Sequence, residues 1–105
     1  MKNFKAISWK ALFRLKNDKI IGGRVKRVSK GSLLFWSEQK LDIGTNGLFM
    51  AQLPPLKQGH EGVIVKATCY TKQVVLAADI FQIEMDIHSW HGSDWHILQD
   101  RYPAN

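Results

Sequence analysis

The chain has one cysteine, Cys69, among 105 residues, which excludes an intramolecular disulfide and any zinc site built on several cysteines. Cys69 shares strand parity with Val63, Val65 and Ala67, so it reads as a small buried apolar residue and not as a nucleophile. Long apolar runs are missing too. The longest, Val74 to Ala78, falls far short of the roughly 20 residues that a membrane-crossing helix needs. Near the N-terminus Lys5, Ser8, Lys10 and Arg14 interrupt any apolar segment of a secretory signal, so a cytoplasmic location is the expectation. Catalytic signatures are absent: no nucleophile elbow, Walker loop, dinucleotide fingerprint or His-Glu-x-x-His occurs. The expectation is a non-enzyme with no cofactor and no metal.

Acidic residues are scarce at one end of the chain. Residues 1–30 contain Asp18 alone, against ten of the fifteen Lys and Arg residues, for a local charge of +9; residues 31–105 carry five bases and eight acids, or −3. That asymmetry suggests an anionic partner for one end of the molecule. The basic run closes in Arg24-Val25-Lys26-Arg27-Val28-Ser29-Lys30-Gly31-Ser32, a strand entering a turn. Strict alternation would put Arg24 and Lys26 on one side of that strand and Arg27 with Val25 on the other.

Most of the remaining sequence reads as short strands separated by turn chemistry. Ala11, Phe13 and Leu15 alternate with Lys10, Leu12, Arg14 and Lys16, and Asn17-Asp18 supplies a turn. Lys19 to Val28 forms a second strand, in which Gly22-Gly23 marks a bulge or a close backbone approach. Leu33 to Trp36 follows as a short apolar strand. Ser37 to Asn46 is a polar loop ending in turn-forming Gly44-Thr45-Asn46-Gly47. Gly47 to Leu53 resumes the apolar pattern, Pro54-Pro55 and Gly59 break it, and a long strand runs from about Gly62 to Tyr70. Thr71-Lys72 is predicted to turn the chain into a strand from Gln73 to Ile87. That strand ends in clean alternation, with Phe81, Ile83, Met85 and Ile87 opposite Gln82, Glu84 and Asp86. Ser93 is a candidate N-cap, and Asp94 suits a helix N-terminus. Trp95, Leu98 and Tyr102 then recur at helical spacing before Pro103. The expectation is a single mainly β domain over 1–105, a small antiparallel barrel of six or seven strands. A basic arm covers 1–8, and a short C-terminal helix covers 93–102.

The segment from Gly23 through Ile87 resembles a PilZ domain, a bacterial six-stranded barrel family that commonly binds cyclic di-GMP. The family's D/N-x-S-x-x-G turn is similar to Arg27-Val28-Ser29-Lys30-Gly31-Ser32, followed by the apolar Leu33-Leu34-Phe35. Ser29 matches; Arg27 stands at the acid or amide position, and Ser32 stands at the glycine position. Leu41-Asp42-Ile43-Gly44-Thr45 and Glu61 to Cys69 look like the family's next approach and strand. Ile7-Ser8-Trp9-Lys10-Ala11 looks like its first strand. The R-x-x-x-R motif belongs just upstream, near Phe4 or Lys5, and neither arginine is present. The resemblance implies a receptor or adaptor domain with cyclic di-GMP as ligand and a protein partner for output. The implied ligand-binding residues are Lys2, Lys5, Arg24, Lys26, Arg27, Ser29, Lys30 and Ser32. Lysines at 2 and 5 keep attraction to phosphate but lose the two-pronged donor array and most of the stacking of a guanidinium, so the implied grip is weaker.

Two alternatives remain: a divergent interaction module without nucleotide, and a small basic barrel binding single-stranded nucleic acid through basic strands and aromatics. No membrane insertion is expected. Ser29 bonds either a ligand or its own turn. His88, His91 and His96 lie close in sequence, but Gly92-Ser93 keeps them off one helical face, which argues against a metal site. Trp90 and Trp95 read as plugging a barrel end, and Trp9 and Trp36 read as core first and stacking surface second.

Overall fold

A computed structural model describes residues 5–54 and 62–101, with the side chains of Lys5 and Ala6 outside that description. Apolar residues repeating every second position give β1 (Lys5–Leu15), β2 (Ile20–Val28), β3 (Ser32–Ser37), β4 (Asn46–Leu53), β5 (Val63–Ala77) and β6 (Ile80–Trp90), followed by α1 (Asp94–Arg101). The six strands close into a barrel in the order β1-β2-β3-β6-β5-β4, with β4 pairing back onto β1. All neighbours are antiparallel. Closure pairs each strand on both sides over part of its length, which is how a small all-β domain limits edge-to-edge association. The inward positions fill the lumen. Phe13, Phe35 and Phe49 are fully buried there with Ile21, Leu33, Ile83 and Met85, and Phe35 meets Phe49 edge to face at 6.2 Å. β1 begins at Lys5, so residues 5–8 of the expected arm are strand, and residues 1–4 lie outside the described residues.

The structure corrects the reading of the β5–β6 region. Thr71-Lys72 does not reverse the chain. Val65, Ala67, Cys69 and Thr71 are all buried on one face of β5, which continues to Ala77 through an irregularity between Thr71 and Gln73. The reversal comes at Ala78-Asp79, whose φ angles of 50° and 66° make a two-residue hairpin turn with both residues left-handed. The expected strand from Gln73 to Ile87 is therefore the end of β5, a tight turn and most of β6. Threonine fits a strand as readily as a turn. The kink sits where the Gly44 N–H donates to the Thr71 carbonyl at 2.7 Å and the Thr71 N–H donates to the Thr45 carbonyl at 2.9 Å.

The helix α1 packs against β5 and adds Leu98 to the core. The Ser93 carbonyl accepts the Ile97 N–H at 3.0 Å, and the Asp94 carboxylate accepts the Lys66 N–H of β5 at 2.8 Å, pinning the helix start to the barrel wall. Leu98 is the helix's fully buried residue. Trp90 and Trp95 are half-buried against the core, with ring centroids 5.3 Å apart. Tyr102, expected on the same helix, lies outside the described residues.

Candidate functional site

The basic segment occupies β2 and the turn after it. Regular alternation fails between Val25 and Arg27: Val25 pairs with Phe35 while Arg27 pairs with Leu34, so two steps along β2 match one along β3. A β-bulge of this kind inserts one residue and resets parity. Val25 and Val28 both point into the core, whereas Arg24 and Arg27 are exposed and Lys26 is half-buried. Arg27 therefore does not share the Val25 side. The bulge gathers Arg24, Lys26 and Arg27 on the outer surface.

The cations on that surface are held in place. Arg24 donates from Nε to Ser8 Oγ at 3.0 Å and from Nη2 to the Ser8 carbonyl at 3.1 Å. Lys26 Nζ donates to the same Ser8 Oγ at 3.1 Å and sits 4.8 Å from the centre of the Trp36 ring. A cation this close to an indole face is attracted by the ring quadrupole, by about 0.5–1 kcal/mol where exposed. Lys30 is exposed, and its carbonyl accepts the Trp90 Nε1–H at 2.8 Å. Lys5 pairs through its backbone with Val28, while its side chain and the whole of Lys2 lie outside the described residues.

Ser29 and Ser32 spend their polar atoms on each other. The Ser29 hydroxyl approaches Ser32 Oγ and the Ser32 carbonyl, both at 3.3 Å, and accepts the Ser32 N–H at 3.2 Å. The Ser29 N–H donates to the Ser32 carbonyl at 2.8 Å. Ser32 is buried. Of the two roles open to Ser29, the geometry shows the bond to its own turn. The serines shape the β2–β3 connection, and the adjacent Arg27 and Lys30 supply its charge.

A groove of about 730 Å³ opens farther along the same face, over the Gly22 backbone, between Lys10 and Leu12 of β1 and Trp36 of β3. Arg24 and Lys26 line it, and Glu38 stands with them. Gly22, Trp36 and Lys10 were not among the expected site residues. The signal lay in the alternation: Gly22 faces outward between Ile21 and Gly23, leaving a gap in the outer surface. Elsewhere, Tyr70 donates to Asp86 Oδ2 at 2.9 Å and stacks on His88 at 4.9 Å. The carboxylate holds the Tyr70 phenol above its ordinary pKa, through the hydrogen bond first and its charge second. Burial pushes the Cys69 thiol up to about 12. Among the described residues no cluster of three or more His, Cys, Asp or Glu could hold a metal ion, and no helix is long and apolar enough to cross a membrane.

No protein-family model matches the sequence, and no match was found among curated proteins. The structure is similar to that of the Bacillus subtilis inhibitor of motility, MotI/DgrA, with a TM-score of 0.74 at 9% sequence identity. The similarity covers 96% of this chain and 48% of that one, so the chain spans about half the length of that protein. At this identity the likeness speaks for the fold, and that neighbour is a PilZ-domain protein. The chain therefore has a PilZ-like fold: a closed six-stranded antiparallel barrel with one short C-terminal helix.

Proposed function

We propose that this chain is a cytoplasmic, non-enzymatic PilZ-like receptor or adaptor domain that receives cyclic di-GMP on the outer face of β2 and the Ser29 turn. One observation carries the reading: the bulge at Lys26 presents Arg24, Lys26 and Arg27 on one surface that runs into the turn bearing Lys30. Two phosphodiesters need fixed cations, and guanidinium groups grip phosphate through paired donors. In this arrangement Arg27 and Lys30 hold phosphate, while Lys2 and Lys5 add charge from the N-terminal side. The Ser29–Ser32 bonds keep the turn in shape. Output passes to a protein partner.

A second reading has its own observation. The serine hydroxyls face each other, and Arg24 and Lys26 are both tied to Ser8, which suits a divergent interaction module that has lost the nucleotide. Calorimetric titration of the purified chain with cyclic di-GMP, at low and moderate salt, separates the two. The receptor reading expects saturable binding that weakens with salt. Combined Arg27→Ala and Lys30→Ala substitution should weaken it by about 10- to 100-fold, the worth of one or two charge-assisted hydrogen bonds. Absence of saturable binding into the tens of micromolar leaves the interaction module.

A further inference from the structure

We infer that the groove over Gly22 is a further binding site for one nucleotide unit, sharing the cations Arg24 and Lys26 with the surface described above, with its planar base in the trough between Leu12 and Trp36 and its phosphate at Lys10 and Arg24. This goes beyond the cyclic di-GMP reading. Arg24, at the near rim of the groove, stands five residues along β2 from Ser29, roughly 16 Å at strand rise.

The shape comes from β2. Gly22 faces outward and pairs with Leu12, Arg24 pairs with both Lys10 and Trp36, and the missing side chain at 22 leaves a slot between two apolar walls. Leu12, 41% exposed, supplies one of those walls. At about 730 Å³ the slot falls within the usual range for small-molecule sites, about 300–1,000 Å³.

The charges give the site a direction. Lys10, Arg24 and Lys26 line the groove, whereas Glu38 is the acid among its lining residues. Glu38 lies two positions beyond Trp36, away from the Arg24 row, so an anion is repelled from that end and drawn to the other. Arg24 uses two of its five donors on Ser8, which fixes the guanidinium plane and leaves the rest for phosphate. Lys26 lies over the Trp36 ring. Among the described residues the Trp36 indole N–H is buried without a partner, a cost of about 1–3 kcal/mol that a leucine there would avoid. What the tryptophan supplies in return is aromatic surface, covered in this structure by the Lys26 ammonium, on which a base stacks with little regard to sequence once that ammonium swings toward the phosphate.

The test uses the fact that a Cβ at Gly22 would meet only Leu12 Cδ2, at 3.7 Å. Gly22→Leu therefore fills the slot from a strand position that accepts a side chain. The purified chain is titrated by calorimetry with guanosine monophosphate, guanosine, inorganic phosphate and an octacytidylate. Guanosine monophosphate should bind at least tenfold more tightly than guanosine or phosphate. Gly22→Leu and Arg24→Gln should each weaken it at least tenfold with the melting temperature retained, while the Arg27→Ala, Lys30→Ala pair leaves it unchanged. Saturable binding of the octacytidylate alone, lost in Gly22→Leu, supports the same site with a nucleic acid strand as the source. Equal binding of phosphate and guanosine monophosphate, or binding unaffected by Gly22→Leu, overturns the proposal. Arg27 and Lys30 belong to the turn reading alone and Gly22 to this one alone, so the substitutions at those positions let either reading fail without the other.

Discussion

The adjacent glycines of β2 should respond in opposite ways to the same added methyl group. A Cβ on Gly23 would overlap the Trp36 carbonyl oxygen and stand 2.9 Å and 3.0 Å from the Phe35 ring carbons Cζ and Cε1, whereas one on Gly22 would make an ordinary contact with Leu12. Carbon atoms pack at about 3.5–4.0 Å, so Gly23→Ala must push β2 and β3 apart or displace the Phe35 ring by roughly 0.5–1 Å. Neither gives easily. Phe35 is fully buried and wedged edge to face on Phe49, and the carbonyl belongs to the strand backbone. Overpacking a core costs about 1–3 kcal/mol, and a clash with backbone belongs at the upper end. Even after the few tenths gained from a stiffer unfolded chain, a loss of about 3 kcal/mol should lower the melting temperature by roughly 12–24 °C. Gly22→Ala should leave stability within about 0.5 kcal/mol or raise it slightly. Urea unfolding followed by circular dichroism measures both, with the slope unchanged if the native fold persists. If Gly23→Ala melts within about 2 °C of Gly22→Ala, the packing of β2 against Phe35 is wrong as described.

The β5–β6 turn offers a gain. Ala78 and Asp79 both hold positive φ, so Ala78→Asn with Asp79→Gly, the pair such turns prefer, should add about 1 kcal/mol and roughly 4–8 °C to the melting temperature; no rise in a thermal melt would count against the turn geometry. Cys69 gives a pH signature. Its thiol is pushed from 9.0 up to about 12 by burial, so between those values the folded chain holds a proton that the unfolded chain has released, and stability falls as pH rises. The loss approaches about 1.4 kcal/mol per pH unit above pH 9. Urea unfolding at pH 8 and pH 10 should show a steeper decline for the natural chain than for Cys69→Ala, and equal declines would refute the burial argument.

Much of the barrel was legible because its residues obey the strand period. Phe81, Ile83, Met85 and Ile87 fall on one face of β6 as the alternation requires, and Val65, Ala67 and Cys69 share the inner face of β5. The helix was readable from Ser93, Asp94 and Leu98, which lie where capping and helical spacing put them. The β5–β6 turn was not. Ala78-Asp79 lacks the Asn-Gly signature of its turn class, and Thr71-Lys72 is as polar as a turn yet lies within a strand. Hairpins are normally announced by residues that tolerate positive φ, and here the backbone adopts it at an alanine. The groove is not legible in the sequence because it depends on three strands at once. Leu12, Gly22 and Trp36 are far apart in sequence and meet only through the register of β1 with β2 and β2 with β3.

The bulge at Lys26 was nonetheless implicit in the spacing Val25-Lys26-Arg27-Val28. A regular strand with Val25 inward would turn Arg27 into the lumen beside Phe35 and leave Val28 in water. Burying an unpaired guanidinium costs several kcal/mol, and exposing a valine forfeits about another 1.5. Inserting one residue into the ladder leaves a few backbone groups less well paired, a smaller loss. The two valines therefore select the bulge, and the bulge turns Arg27 outward. Core packing and surface charge are thus coupled in β2. The apolar residues that hold the barrel closed also decide that its basic side chains form one surface, which is why substitutions at Val25 or Val28 would disturb the proposed anion site without touching a cation.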